Sequence, residues 1–128
     1  MTPSTIKLHK KSAVLELGYA DGTGAHLEAE LLRVYSPSAE VRGHGVGQEV
    51  LQIGKRYVAV EAIEAVGNYA VRLTFDDGHN SGLFSWETLY DLACNQSARW
   101  ADYEKRLAEA GASREPLPAD TQVITIKP

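Results

Sequence analysis

The sequence predicts an α+β domain: a small antiparallel meander covered by one long C-terminal helix, with a short helix near residues 28–35. Three observations carry that expectation. Tyr69, Val71, Leu73 and Phe75 alternate with Arg72 and Thr74, the period of a half-buried strand. Glycine-bearing turns, Gly67-Asn68 and Asp76-Asp77-Gly78-His79, bracket that run. From Trp86 the period changes to 3.6, so that Trp86, Leu89, Tyr90, Ala93, Trp100, Leu107 and Ala110 share one helical face.

Taken in order, residues 12–17 form an apolar-rich alternating strand ending at Gly18. The cluster Ala20-Asp21-Gly22-Thr23-Gly24 is a turn, and the chain returns from Ala25. Leu27, Leu31, Leu32 and Tyr35 recur at helical spacing until Pro37 stops or redirects the chain. Three alternate glycines in Arg42-Gly43-His44-Gly45-Val46-Gly47-Gln48 suit a loop. Strands follow over residues 57–66, 69–75 and 82–85. For the long helix over residues 86–110, Ser85 is the N-cap, Glu87 complements the first turn and Gly111 is the stop. Residues 1–111 make a single domain and residues 112–128 a tail, in which Val123-Ile124-Thr125-Ile126 has the composition of an added edge strand.

The 128 residues suit one domain. With 13 Lys and Arg against 17 Asp and Glu, the net charge of −4 gives no positive field for nucleic acid or an anionic membrane. Lys7, Lys10 and Lys11 beside His9 read as a solubilising cluster. The longest apolar run is residues 57–60, far short of the ~20 residues of a membrane helix, so a cytoplasmic protein is expected. The lone Cys94 cannot make an internal disulfide or a CxxC site, and a small buried residue is its simplest reading.

The segments Leu32-Arg33-Val34-Tyr35-Ser36-Pro37-Ser38-Ala39-Glu40-Val41, Val66-Gly67-Asn68-Tyr69-Ala70-Val71 and Asp77-Gly78-His79, then Trp86, resemble the gamma-butyrobetaine hydroxylase-like N-terminal domain family. The likeness runs from about Ile6 to Ala110, and is strongest to the short, free-standing bacterial members with an Arg-Gly-His-Gly loop. That family precedes the catalytic domain of gamma-butyrobetaine and trimethyllysine hydroxylases and is attached to Mrp-like ATPases of iron–sulfur assembly. The resemblance therefore implies an accessory module; the hydroxylases' catalytic domain is not part of it, and an enzyme is not expected. In the hydroxylases the domain holds a structural zinc through three cysteines and one histidine. Those positions fall here on Ser36, Ser38, Val41 and His79, which leaves three of four ligands missing.

The residues themselves support two functions. In the first, Arg33, Tyr35, Arg42, His44, Asp77 and His79 form the binding surface of a non-enzymatic adaptor, presented to another protein or a small anionic group. Asp76 or Asp77 beside His79 would raise the imidazole pKa. No cofactor is expected in this reading, and a protein partner is. In the alternative, His79, with His44, is a residual ligand for zinc or iron. His26-Leu27-Glu28 with His79 formally supplies two histidines and a carboxylate, but four histidines in 128 residues make such a match common. The glycine loop lacks the Lys-Ser/Thr of a phosphate-cradling loop. Trp86 and Trp100 read as core.

Overall fold

The computed structural model describes residues 1–43 and 49–116. Two three-stranded antiparallel sheets and four helices build the α+β domain. The first sheet is β1 (Thr5–His9), β2 (Val14–Gly18) and β3 (Gly24–Glu28). Leu15 sits between Leu8 and Leu27 across the three strands, and Leu15, Leu17 and Leu27 are fully buried. The chain then makes α1 (Ala29–Val34) and α2 (Ala39–Arg42). The second sheet is β4 (Val60–Val66), β5 (Ala70–Phe75) and β6 (Leu83–Ser85), followed by α3 (Trp86–Cys94) and α4 (Gln96–Ala110).

The predicted single meander is thus divided in two, because α1 and α2 intervene between β3 and β4. β1 was hidden in the lysine cluster: Ile6 and Leu8 pack inward while Thr5, Lys7 and His9 face out, the ordinary period of an edge strand. The predicted long helix breaks at Asn95, whose side-chain amide donates to the Asp91 C=O and Oδ1 and competes with the helical ladder. Ser85 caps α3 through Thr88 N–H, and Gly111 ends α4 in the left-handed conformation, both as the sequence indicates. Cys94 is exposed rather than buried, because it lies at this break.

The break separates two tasks. On α3, Leu89 and Leu92 join the main core with Leu15, Leu17, Leu27, Leu73 and Phe84, and half-buried Trp86 packs beside them. On α4, Tyr103 and Leu107 form a second core with Val34, against which Trp100 packs. All six residues of α1 are buried. At six residues it is too short to persist on propensity, so packing holds it: Leu31 and Leu32 enter one core and Val34 the other. Its buried Glu30 is held by both Nε and Nη2 of Arg114, at 2.8 and 2.6 Å.

The start of the predicted tail is tied down. Gly54 N–H donates to the Ser113 C=O and Arg56 N–H to the Arg114 C=O, both at 3.1 Å. Residues 123–126 and all of the glycine loop after Gly43 up to residue 48 lie outside the described residues. No helix among the described residues is long and apolar enough to cross a membrane.

Arg114→Ala leaves the Glu30 carboxylate buried without its partner and costs about 3 kcal/mol, measured by denaturant unfolding. Arg114→Lys, a cation without the two-pronged fork, recovers part of that loss. A loss near zero in Arg114→Ala would contradict this role for the pair.

Candidate functional site

The turn between β5 and β6 folds against the segment joining α1 to α2, and His79 is the centre of that contact. Its side chain is only 2% exposed. Nδ1 lies 2.9 Å from Glu40 Oε2 and Nε2 2.9 Å from Ser36 Oγ. A carboxylate only accepts, so Nδ1 carries a proton, and in the neutral ring Nε2 accepts from the Ser36 hydroxyl. Beside them Ser38 and Ser81 share a hydroxyl bond of 2.6 Å, and Ser38 caps α2 by accepting from Glu40 N–H. Gly82 closes against the group so tightly that a Cβ there would overlap Ser36 Oγ.

Asp77 anchors the same turn. Its Oδ1 accepts from His79 N–H, while Oδ2 takes Arg33 Nε at 2.8 Å and Lys55 Nζ at 2.6 Å. Burial alone would raise this carboxyl, but Lys55, Arg33 and the backbone donor more than offset it and bring its pKa down to about 2. Arg33 is itself buried, and its Nη1 has no hydrogen-bond partner among the described residues. For His79, burial and then the charge of Arg33 outweigh Glu40 and Asp77, so its pKa is lowered. This reverses the sequence expectation of a raised value, because burial was not legible from a turn motif.

Ser36 belongs also to the wall of a groove of about 870 Å³ between the α1–α2 segment and helices α3 and α4. Val34, Val41 and Leu92 contribute apolar surface; Arg42, Glu49, Glu87, Asp91, Arg99, Asp102 and Arg106 supply charge. Tyr35 is fixed within it. Its hydroxyl donates to the Arg99 C=O at 2.7 Å with Asp102 Oδ2 3.1 Å away, and the guanidinium groups of Arg99 and Arg106 each lie 5.6 Å from the ring centroid. Arg99 pairs with Asp91, whereas Arg42 is exposed at the end of α2.

The arrangement limits the chemistry. Hydroxyl to Nε2 and carboxylate to Nδ1 is the connectivity of a hydrolytic triad. Yet Ser36 is fully buried and Gly82 packs against its oxygen, which leaves no room for a substrate carbonyl. Nor does the donor set fit zinc: two hydroxyls and an isopropyl group stand where thiolates would, and both His79 nitrogens are engaged. Among the described residues no three His, Cys, Asp or Glu side chains are grouped to hold a metal ion. His26 faces outward from β3, 3.5 Å from Glu16, and is not among the hydrogen-bond partners of His79.

Of the six predicted site residues, Arg33, Asp77 and His79 meet in the buried cluster, while Tyr35 and Arg42 line the groove. His44 lies outside the described residues. Sequence reading missed Glu40, Lys55 and Ser81, which carry no local signal for a contact about 20 to 40 positions away. Arg99, Asp102 and Arg106 were legible in principle, since positions three and seven apart share a helix face.

The unfolded chain binds more protons than the fold at both groups, so stability falls on acidification. For His79 the loss begins as pH drops below about 6.5, the unfolded value. For Asp77 a further loss of about 1–2 kcal/mol, allowing for solvent screening, develops between about pH 4 and 2. Unfolding followed from pH 7.5 to 5 gives the first slope, and His79→Gln flattens it. Equal slopes in both proteins would contradict a neutral buried imidazole.

The family model described as gamma-butyrobetaine hydroxylase-like, N-terminal, matches residues 6–90. No curated protein matches the chain. Two NMR solution structures are similar over 97% of this chain: one is 49% identical with a TM-score of 0.79 over 98% of that chain, the other 51% identical with 0.77 over 93%. A crystal structure of a protein of unknown function in the DUF971 family, from Acidithiobacillus ferrooxidans, is 39% identical over 72% of this chain and 92% of that one, with a TM-score of 0.60. Most of the chain, from β1 into α3, is covered by the family match, and it belongs to the gamma-butyrobetaine hydroxylase-like N-terminal domain family.

Proposed function

We propose that this domain is a non-catalytic accessory module that captures a protein partner in the groove beside Tyr35 and Arg42. The single observation that carries the reading is the groove itself, lined by apolar Val34, Val41 and Leu92 together with side chains of both charges. Tyr35 is held in place before any partner arrives, so its ring costs little entropy on binding. Behind it, the His79 cluster fixes the α1–α2 segment that forms one wall. Arg33, Asp77 and His79 therefore act in this reading as supports for the surface rather than as contacts with the partner.

The family resemblance directs the search toward oxygenase and iron–sulfur assembly partners in the cytoplasm, and the acidic chain argues against nucleic acid. Zinc or iron at His79 would have to break a hydrogen bond that already satisfies the ring, so the donor set favours the adaptor reading.

The test uses a partner captured by the full chain and then purified. Arg42→Ala and Glu87→Ala each weaken its binding about tenfold with unchanged melting, on the scale of an important interface residue, while Lys7→Ala on β1 has no effect. Binding indifferent to both groove substitutions would overturn the assignment.

A further inference from the structure

Each sheet has one edge strand that runs directly into a helix, β3 into α1 and β6 into α3, and one that does not. Those two are β1 and β4; among the described residues β1 pairs with β2 alone and β4 with β5 alone. The registers show which backbone groups each edge turns outward. Tyr19 N–H donates to the Thr23 C=O, so Tyr19, and at period two Leu17 and Leu15, direct their backbone groups to β3. Glu16 then faces β1, its partner Lys7 faces β2, and the backbone groups of Ile6 and Leu8 point off the sheet. In the second sheet Trp86 N–H donates to the Tyr69 C=O, so Tyr69 and Val71 face β6 while Arg72 faces β4. Its partner Glu64 is turned toward β5, which leaves the backbone groups of Ile63 and Ala65 outward.

These two edges match in apolar pattern and oppose each other in charge. β1 carries exposed Lys7 between half-buried Ile6 and Leu8, whereas β4 carries exposed Glu64 between half-buried Ile63 and exposed Ala65. Ile63 and Ala65 lie opposite buried Leu73 and Val71, so they share the core face of their sheet, as Ile6 and Leu8 share that of theirs. Glu16, the cross-strand neighbour of Lys7, is taken by His9 at 2.8 Å. A lysine on an edge strand ordinarily discourages pairing, and β1 on β1 or β4 on β4 brings like charges to one ladder. β1 laid on β4 brings unlike ones.

We propose that β1 of one molecule pairs antiparallel with β4 of a second copy, joining two three-stranded sheets into one. The outward groups fix the register: Ile6 lies opposite Ala65 and Leu8 opposite Ile63 as hydrogen-bonded pairs. Lys7 then falls opposite Glu64 in the closer, non-hydrogen-bonded pair, while the four apolar side chains continue one face. A slip of one residue turns Lys7 onto the apolar face. A slip of two keeps the ladder but sets Lys7 opposite Ala62 or Val66, without a charge to meet it. The contact is heterologous: each pairing leaves β4 free at one end and β1 at the other, so symmetry does not stop growth at two copies. A single edge pair is smaller than the roughly 1,000 Å² of a stable interface, so the association is weak and concentration-dependent. None of the residues in this contact lines the Tyr35 groove, and the inference does not rest on the proposed function.

Sedimentation equilibrium of the full chain, from micromolar to millimolar protein at low salt, tests this. The average mass rises with concentration, and added salt lowers it. Lys7→Glu and Glu64→Lys each weaken the association about tenfold, because each sets like charges opposite one another. The double variant carrying both changes regains it, and so does an equimolar mixture of the two single variants, in which every β1 again meets a β4 of opposite charge. Unchanged amide protection in β2 and β5 reports an intact fold in each protein. A parent that stays monomeric over the whole range would overturn the proposal. So would single variants that associate as the parent does, or a double variant and a mixture that both fail to regain association.

Discussion

One uncharged imidazole, buried between a hydroxyl and a carboxylate, joins two parts of the chain that no sheet ladder connects. His79 comes from the β5–β6 turn, while Ser36 and Glu40 come from the short segment between α1 and α2. Neither segment has enough regular structure to hold itself. α2 is four residues long, and the turn is shaped locally by Gly78, by its aspartates and by two short-range backbone hydrogen bonds, Gly78 N–H to the Phe75 C=O and Phe75 N–H to the His79 C=O. A buried polar group without a partner would cost about 1–3 kcal/mol, and here each ring nitrogen has one. The ion pairs of Asp77 with Arg33 and Lys55 act on the same turn from the other side, so the position of the groove wall follows from local chemistry rather than from the sheets.

α1 extends the effect. Its leucines are committed to the main core and its Val34 to the second, so the helix cannot shift toward one core without opening the other. Tyr35, at its C-terminal end, is carried to a fixed place against α4. Fold stability and groove geometry are thus coupled through a six-residue helix. Hydrogen bonds among Ser36, His79 and Glu40 make the connection between the two segments.

What was legible in the sequence followed from periodicity and from turn chemistry. β5, the turn at Gly78, the Ser85 cap and the Gly111 stop all rest on neighbouring residues, and all stand in the structure. β1 was obscured because three lysines suggested a charged patch, although the alternation of Ile6 and Leu8 was present. The break at Asn95 turned on one side chain competing for a carbonyl, which a helical face counted over many residues does not register. For the site, Arg33, Asp77 and His79 were visible as chemistry-bearing residues, but their mutual contact was not. Lys55 and Glu40 enter through tertiary packing across about 20 to 40 positions, and the sign of the His79 shift depended on burial that only the fold creates.

The protonation state of His79 is where the account is most exposed. Nitrogen-15 correlation of the imidazole in the full chain at pH 7 should give a single neutral tautomer with the proton on Nδ1 and a hydrogen-bonded, unprotonated Nε2. A protonated Nε2, a tautomer average, or an imidazolium at that pH would contradict the clasp from which the groove wall is derived.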